Sequence, residues 1–448
     1  MTDDLRQLDI RYLWHPCTDI EALAGSAFPI IERAEGVYLH ERGGRALLDG
    51  ISSWWCVNLG HGHPRIVEAI RRQAGQLQHC ILGGMSHPRA IELAERLAAI
   101  APGGLGHAFF AGDGASAVEA ALKIAVQYWH NRGQPGRGRF IALADGYHGD
   151  TLGCVGVGYV EAFHGHFRDV VRPSLRATSP HCLRCPMGKK PDCCDIECFD
   201  SMQALIEEHH AEVAAVIVEP LCQGAAGLRM YPPEYLRRLR RSCDERGLLL
   251  IADEIAVGFG RTGTMFACEQ AGITPDLMTI GKGLTGGSLP MSAVLAADAV
   301  YDAFRSAPGR DRTFYHSHTF GGNPIAAAAA LAALDVYERE SVVESCGPRI
   351  AQLSAGIGEV AAAVGGAPCG SLGMMAVAEL DDGLGGATRA RRIAARALEL
   401  GLFVRPLGRC VYLWPPLTTS EAELAEMIDI LASAARQTRT QFQGQIPK

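Results

Sequence analysis

Residues 248–263 read LLLIADEIAVGFGRTG. Five apolar residues run unbroken into Asp253-Glu254, and a glycine-rich stretch follows. A short continuous apolar run bounded by turn residues is the pattern of a strand buried on both faces. A carboxylate closing such a strand stands at its C-terminal end, where parallel sheets bind their ligands. Its structural alternative is to cap the following loop or to pair with Arg261. A second apolar run, LMTIG (277–281), ends in Lys282-Gly283. A lysine between two glycines at a strand end gives up strand propensity and leaves an amine in the same crevice.

Working outward, HAFFA (107–111), RFIALA (139–144) and AAVIVE (214–219) are further buried-strand patterns. Between them, helical periodicity spans Pro64 to Gln76, Ala90 to Ala99, Ser116 to His130 and Pro233 to Arg246. Strands alternating with helices give an α/β fold with a largely parallel sheet covered on both faces. GVYLH and RALLDG flank Gly43-Gly44 as a hairpin. After Asn323-Pro324 the texture shifts to Ala-rich helices with the strand patterns GMMAVAEL, GLFVRP and VYLW. The expected organisation is an arm and hairpin over residues 1–60, a large α/β domain over 61–325, and a smaller α+β domain over 326–448. The arm joins the smaller domain, and the large one carries a Cys-rich insertion at 181–198.

Of the 448 residues, 48% are hydrophobic and 20% charged, which excludes a disordered or fibrous chain. A formal net charge of −7 gives no global attraction to nucleic acid or membrane. The longest apolar run, Ile325 to Leu334, is too short to span a bilayer. MTDDLRQLDI lacks the apolar core of a secretory signal, so a cytoplasmic protein is expected. Most of the 15 cysteines are scattered through apolar segments, as thiols are in reducing compartments.

The stretch FFAGDGASAVEAALKIAVQYW reads strand, glycine turn, helix, which puts Gly112 to Ser116 at a helix N-terminus. Free N–H groups and the helix dipole make that a phosphate seat. The alternative is a tight turn with Asp113 as N-cap. Lysine is scarce: Lys123, Lys189, Lys190, Lys282 and Lys448 are the only ones. Of these, Lys282 alone stands where a desolvated amine can form a Schiff base. A phosphate seat, a buried strand-end Asp253 and a strand-end Lys282 together suggest pyridoxal 5′-phosphate, with the carboxylate keeping the pyridine nitrogen protonated.

At these residues the chain resembles the class III, fold-type I aminotransferases over nearly its whole length. It is most similar to the branch of biotin synthesis that makes 7,8-diaminopelargonate. The matching segments include LWHPCTDI, DGISSWWCVNLGHGHP, DGYHGDT, IVEPLCQGAAGLRMYPPEYL, IADEIAVGFGRTGTMFACE, GKGLTGG, HSHTFGGNP and VRPLGRCVYLWPP. DEIAVGFGRTG and GKGLTGG are specific to the class, and SSWW with the leading WHP to the branch. The resemblance implies that Lys282 is the Schiff-base lysine, Asp253 the partner of the pyridine nitrogen and Tyr147 the aromatic stacked on the cofactor ring. It implies that Gly114 and Ala115 form the phosphate cup. Thr319, with Ser317 and His318 beside it, would reach the phosphate of a neighbouring subunit, so a homodimer with shared sites is expected. Trp54, Trp55 and Tyr412 would wall the substrate pocket, and Arg405 would bind the substrate carboxylate. The partners implied are a small-molecule amino donor, S-adenosylmethionine first, and an oxo-acid acceptor, 8-amino-7-oxononanoate.

Three departures stand out. Asp113 stands where the class usually has a hydroxyl residue, Ala115 lacks a side-chain donor, and an ionised Asp113 facing a phosphate is repulsive; it is expected to point away or cap the helix. Cys17 stands where the branch has an aromatic residue against the donor, which leaves a lysine-dependent version of the reaction open. The insertion HCLRCPMGKKPDCCDIEC offers Cys182, Cys185, Cys194 and Cys198 as metal ligands, a redox-labile dithiol, or an ordinary loop. Within the class the rival is an ω-amino-acid aminotransferase of the ornithine or 4-aminobutyrate type. Outside it, the rival is a metal- or redox-responsive interaction protein on a dead transaminase scaffold.

Overall fold

The computed structural model describes residues 2–190, 193–381 and 385–443. Its centre is a seven-stranded sheet in the order His107–Ala111, Ser292–Ala296, Leu277–Ile280, Leu249–Asp253, Val213–Val218, Arg139–Leu143 and Leu175–Ala177. The last five run parallel, while Ser292–Ala296 is antiparallel to both neighbours. All five expected strands are present. Ser292–Ala296 was not anticipated, and chain length dictates its direction. Eleven residues after Ile280 leave no room for a crossover helix, so the chain must turn back.

Both faces of this sheet are covered. Leu249 and Ile251 pack with Val118, Ala121 and Ala125 of the helix Gly114–Asn131. Leu250 and Ala252 point the other way, into a core shared with Tyr235, Leu236 and Leu239 of Pro233–Arg246. That period-2 sorting of an all-apolar strand is why Leu248 to Ala252 carries no polar break.

The hairpin forms as read: Tyr38–Glu41 pairs antiparallel with Ala46–Asp49, and Gly43 and Gly44 take φ of 121° and 95° at its turn. Leu402–Phe403 then adds to Ala46–Asp49 in parallel, joining the beginning of the chain to its end. Cys369–Leu372, Met375–Glu379 and Cys410–Leu413 form a three-stranded antiparallel sheet. The helices Gly347–Ala363, Gly386–Glu399 and Glu421–Gln443 pack beside it. The Ala-rich helix Pro324–Arg339 lies against Pro64–Ala74 and Pro88–Ile100. No described helix is long and apolar enough to cross a membrane.

Candidate active site

Four parallel strands of the central sheet end at one cavity of about 510 Å³. Tyr147 follows Arg139–Leu143, Glu219 follows Val213–Val218, Asp253 closes Leu249–Asp253, and Lys282 follows Leu277–Ile280. The N-terminus of Gly114–Asn131 closes another side. This is the carboxyl edge at which α/β sheets bind ligands.

Asp253 is buried and fully engaged. Its Oδ1 accepts from the Ile255 amide and from Thr279 Oγ1, each at 3.1 Å, and its Oδ2 lies 2.6 Å from His148 Nδ1. It therefore does cap the following loop, but it does not meet Arg261. That guanidinium is buried elsewhere, donating to the carbonyls of Met374 and Pro415 and to Asn58 Oδ1. Burial alone would depress the His148 pKa; the hydrogen bond and charge of Asp253 outweigh it, and the ring is held above its ordinary value. The short contact thus sets a ring that holds its proton tightly directly against the buried Asp253 carboxyl group.

Lys282 sits in the left-handed region with φ 43°. Its Nζ lies 5.2 Å over the Trp55 ring and has no hydrogen-bond or ion-pair partner among the described residues. Withdrawal from water lowers its pKa, with Asp253, Glu219 and Cys56 opposing. The result is an amine shifted toward its nucleophilic form. Gly283 behind it is obligatory, since a Cβ there would stand 2.5 Å from Asn58 Nδ2.

Glu219 holds two loops together. Its Oε1 accepts from the Tyr147 amide at 3.0 Å and its Oε2 from the Gly224 amide at 2.9 Å. Burial pushes its pKa up to about 7, against the charge of His148 and those two hydrogen bonds. Tyr147 donates its hydroxyl to Asp150 Oδ2 at 3.0 Å. Gly149 makes the loop possible, with φ 118° and a Cβ position only 2.5 Å from that of Ala115.

At the helix start, Asp113 caps rather than confronts. Its two oxygens accept from the Ser116 amide at 3.0 Å and Ser116 Oγ at 2.9 Å. The Gly114 and Ala115 amides at the cavity edge are left as first-turn donors without intrahelical partners.

Trp55 is buried, stacked on Trp414 at 4.7 Å and donating Nε1 to the Tyr412 hydroxyl at 3.2 Å. Trp54 is half-exposed, with the Arg405 guanidinium 4.4 Å over its ring. Arg405 also donates to the Cys17 carbonyl at 2.6 Å. Cys17 is exposed and within electrostatic reach of Tyr147. So the expected residues Lys282, Asp253, Tyr147, Gly114, Ala115 and Trp55 converge, with Trp54, Tyr412, Arg405 and Cys17 around them. Ser317, His318 and Thr319 do not line the cavity of their own chain, and Ser317 and Thr319 are exposed. In the Cys-rich insertion, Cys182, Cys185, Cys194 and Cys198 are unbridged thiols within electrostatic reach of one another, and among the described residues no group of three or more ligating side chains is placed to hold a metal ion.

His148 and Glu219 are the residues that sequence reasoning did not assign. Glu219 closes the strand AAVIVE in the same way as Asp253 closes LLLIAD, and that signal was available. His148 gave no such signal; its partner lies 105 residues away.

A sequence profile of the family described as aminotransferase class-III matches residues 22–435. The chain belongs to the class-III aminotransferases. This aminotransferase is 42% identical, over 97% of its length and 82% of the other's, to the adenosylmethionine-8-amino-7-oxononanoate aminotransferase of Nitratidesulfovibrio vulgaris. The crystal structure of the enzyme of that name from Methanocaldococcus jannaschii superposes with a TM-score of 0.91 at 37% identity, covering 98% of this chain and 99% of that one. An (S)-enantioselective ω-transaminase from Thermomicrobium roseum also reaches a TM-score of 0.91, at 30% identity over 98% and 99% of the two chains. The shared scaffold is thus that of the class, and sequence is closer to the oxononanoate enzymes.

Proposed function

We propose that this aminotransferase moves an amino group from S-adenosylmethionine to 8-amino-7-oxononanoate, giving 7,8-diaminononanoate for biotin synthesis. It would work with pyridoxal 5′-phosphate, as a cytoplasmic homodimer. The observation that carries the reading is the convergence of Lys282, Asp253 and the helix start at Gly114 on one cavity, together with the names of the relatives most like this chain.

The residues fit the cofactor. The free first-turn amides of Gly114 and Ala115 suit a phosphate, the more so because Asp113 turns its charge onto Ser116. The paired Asp253 suits a protonated ring nitrogen. Tyr147 would cover the ring, and the unpartnered amine of Lys282 would hold the aldehyde. When bound, pyridoxal phosphate supplies an electron sink that acidifies the bond next to the amine. Lys282, with its lowered pKa, is then the base that takes and returns that proton. His148 and Asp253 form a close ion pair at the cavity floor, and Trp55 excludes water beneath the Lys282 amine. Arg405 presents a planar fork for the carboxylate of the oxo acid once that carboxylate displaces the Cys17 carbonyl. Ser317, His318 and Thr319, outside their own chain's cavity, would complete the phosphate end of a second copy's site.

A second reading keeps the reaction and changes the donor. Cys17 offers no ring for an adenine, and the Trp54 face is already taken by Arg405. Lysine, which carries no base, is the alternative donor. The purified holoenzyme, assayed with oxononanoate and each donor in turn, tests both. Turnover with adenosylmethionine supports the first reading; turnover with lysine alone replaces the donor; turnover with neither, but with an ω-amino acid, removes the proposed reaction.

A further inference from the structure

Trp55 of the cavity wall and its neighbour Trp54 stand on a backbone that L-residues seldom adopt. Ser52, Ser53, Trp54 and Trp55 are four consecutive residues with φ of 50°, 44°, 79° and 70°. At Ser53 and Trp54, ψ is 50° and 44°, the left-handed helical region. Non-glycine residues enter that region singly, because each Cβ is driven against the following carbonyl. A run of four without a glycine persists only where the surroundings over-determine it.

Asp49, completely buried at the end of Ala46–Asp49, supplies that restraint. Its Oδ1 accepts from the Ser53 amide at 2.9 Å and the Ile51 amide at 3.3 Å. Its Oδ2 accepts from Ser53 Oγ at 2.7 Å and lies 2.9 Å from Nε2 of the part-buried His61. Ser52 Oγ ties the same turn to the Trp414 carbonyl at 2.7 Å. The hand of the turn sorts the two rings. Trp55 goes inward, stacked on Trp414 beneath the Lys282 amine, and Trp54 goes outward under Arg405. Relaxation to the right-handed or extended region would re-aim both.

We infer that Asp49 is a positioning residue for the acceptor: through Ser53 it holds Ser52–Trp55 left-handed and so sets the apolar wall against which the carbon chain of the oxo acid packs. Asp49 does not line the cavity, and the inference rests on the proposed acceptor for its kinetic consequence alone.

The test compares the wild-type holoenzyme with Asp49→Asn and with Asp49→Asn/Ser53→Gly. Asparagine keeps one acceptor oxygen but loses the charge and the second acceptor. Glycine takes φ near 44° with no Cβ penalty, so it should hold the turn without the carboxylate. Asp49→Asn should raise the KM for 8-amino-7-oxononanoate about tenfold, equivalent to about 1.4 kcal/mol, with kcat changed less than about twofold. It should also weaken the near-ultraviolet circular dichroism of the stacked Trp55–Trp414 pair. The double variant should recover most of both signals. A KM and dichroism unchanged in Asp49→Asn, or a double variant no closer to wild type than the single, overturns the inference. So does a loss confined to kcat. Should Asp49→Asn fail to fold, Ser53→Ala, which deletes only the 2.7 Å hydroxyl bond, carries the same test with a rise in KM of about threefold. If the wild type itself does not accept oxononanoate, the proposed reaction fails, and the dichroism of the variants still decides the turn.

Discussion

Replacing Asp253 by Asn separates charge from shape at the cavity floor. The amide keeps an acceptor for the Ile255 amide and Thr279 Oγ1, so those two 3.1 Å bonds survive. The change falls on the 2.6 Å contact with His148 Nδ1. Without the carboxylate, burial is left as the main influence on His148, its pKa falls, and the neutral ring accepts from the new amide. A charged hydrogen bond worth about 1.5–3 kcal/mol becomes a neutral one worth about 0.5–1.5, so the fold loses about 1–2 kcal/mol. That is a fall of only a few degrees in Tm for a chain of this size. The neutral bond that remains limits the loss of cofactor affinity to about tenfold. Catalysis loses more. A unit charge removed from about 4 Å in a site of effective dielectric 20 is worth about 4 kcal/mol, or about 10³-fold in kcat at saturating cofactor. Tm by circular dichroism, cofactor Kd from the visible absorbance and kcat under single-turnover conditions give the three numbers. Equal losses of kcat and of cofactor affinity would refute the reasoning, as would a fall in Tm large enough to account for the lost activity.

Lys282→Ala should abolish turnover with Tm within a few degrees of wild type, since the amine makes no hydrogen bond or ion pair with the described residues; borohydride should bleach and fix the colour of the wild-type holoenzyme and not that of the variant. Glu219 titrates in the fold at about 7 against an ordinary 4.5, so the native state holds its proton more tightly. Its contribution to stability is complete below about pH 4.5 and is lost as pH rises through about 7; Glu219→Gln should flatten that part of the Tm–pH curve, and an unchanged slope would contradict the assignment. Arg405→Ala should raise the KM for oxononanoate about 10- to 150-fold, the range of a charged hydrogen bond. An analogue lacking the carboxylate should bind both forms alike. Adenosylmethionine should support turnover with a high KM, and Cys17→Tyr should lower that KM about 5- to 150-fold, the range for stacking one base on an aromatic ring. A KM for oxononanoate that moves in parallel would show that the tyrosine acts on the shared pocket instead of the donor.

The strand ends were legible because their signal is local. Five apolar residues followed by Asp253, and LMTIG followed by Lys282, declare a buried strand and a polar terminus within a dozen residues. Ser292–Ala296 was not, since its small apolar run resembles many others and only the short connection from Ile280 gives it a partner. Helix capping by Asp113 was legible for the same local reason: a carboxylate three residues before a serine amide is a contact within one turn. At Cys182 to Cys198 spacing along the chain left metal, dithiol and plain loop open; the fold brings the four thiols within electrostatic reach of one another, while among the described residues no three ligating side chains are placed to hold a metal ion.

Sequence by itself determined the α/β class, the parallel sheet, the helix start at Gly114 capped by Asp113, and the two strand-end groups Asp253 and Lys282. Each follows from periodicity or from contacts a few residues apart. Tertiary structure alone decided that His148 reaches Asp253, that Glu219 ties the Tyr147 loop to Gly224, that Arg261 is buried away from Asp253, and that SSWW turns left-handed over Asp49. The physical reason is common to the first three; at SSWW the contacts of Asp49 with Ile51 and Ser53 are local, and the core adds His61 and Trp414. A buried charge must find its partners wherever the packed core brings them, and in this chain they arrive from separate strands and loops whose meeting no local pattern encodes.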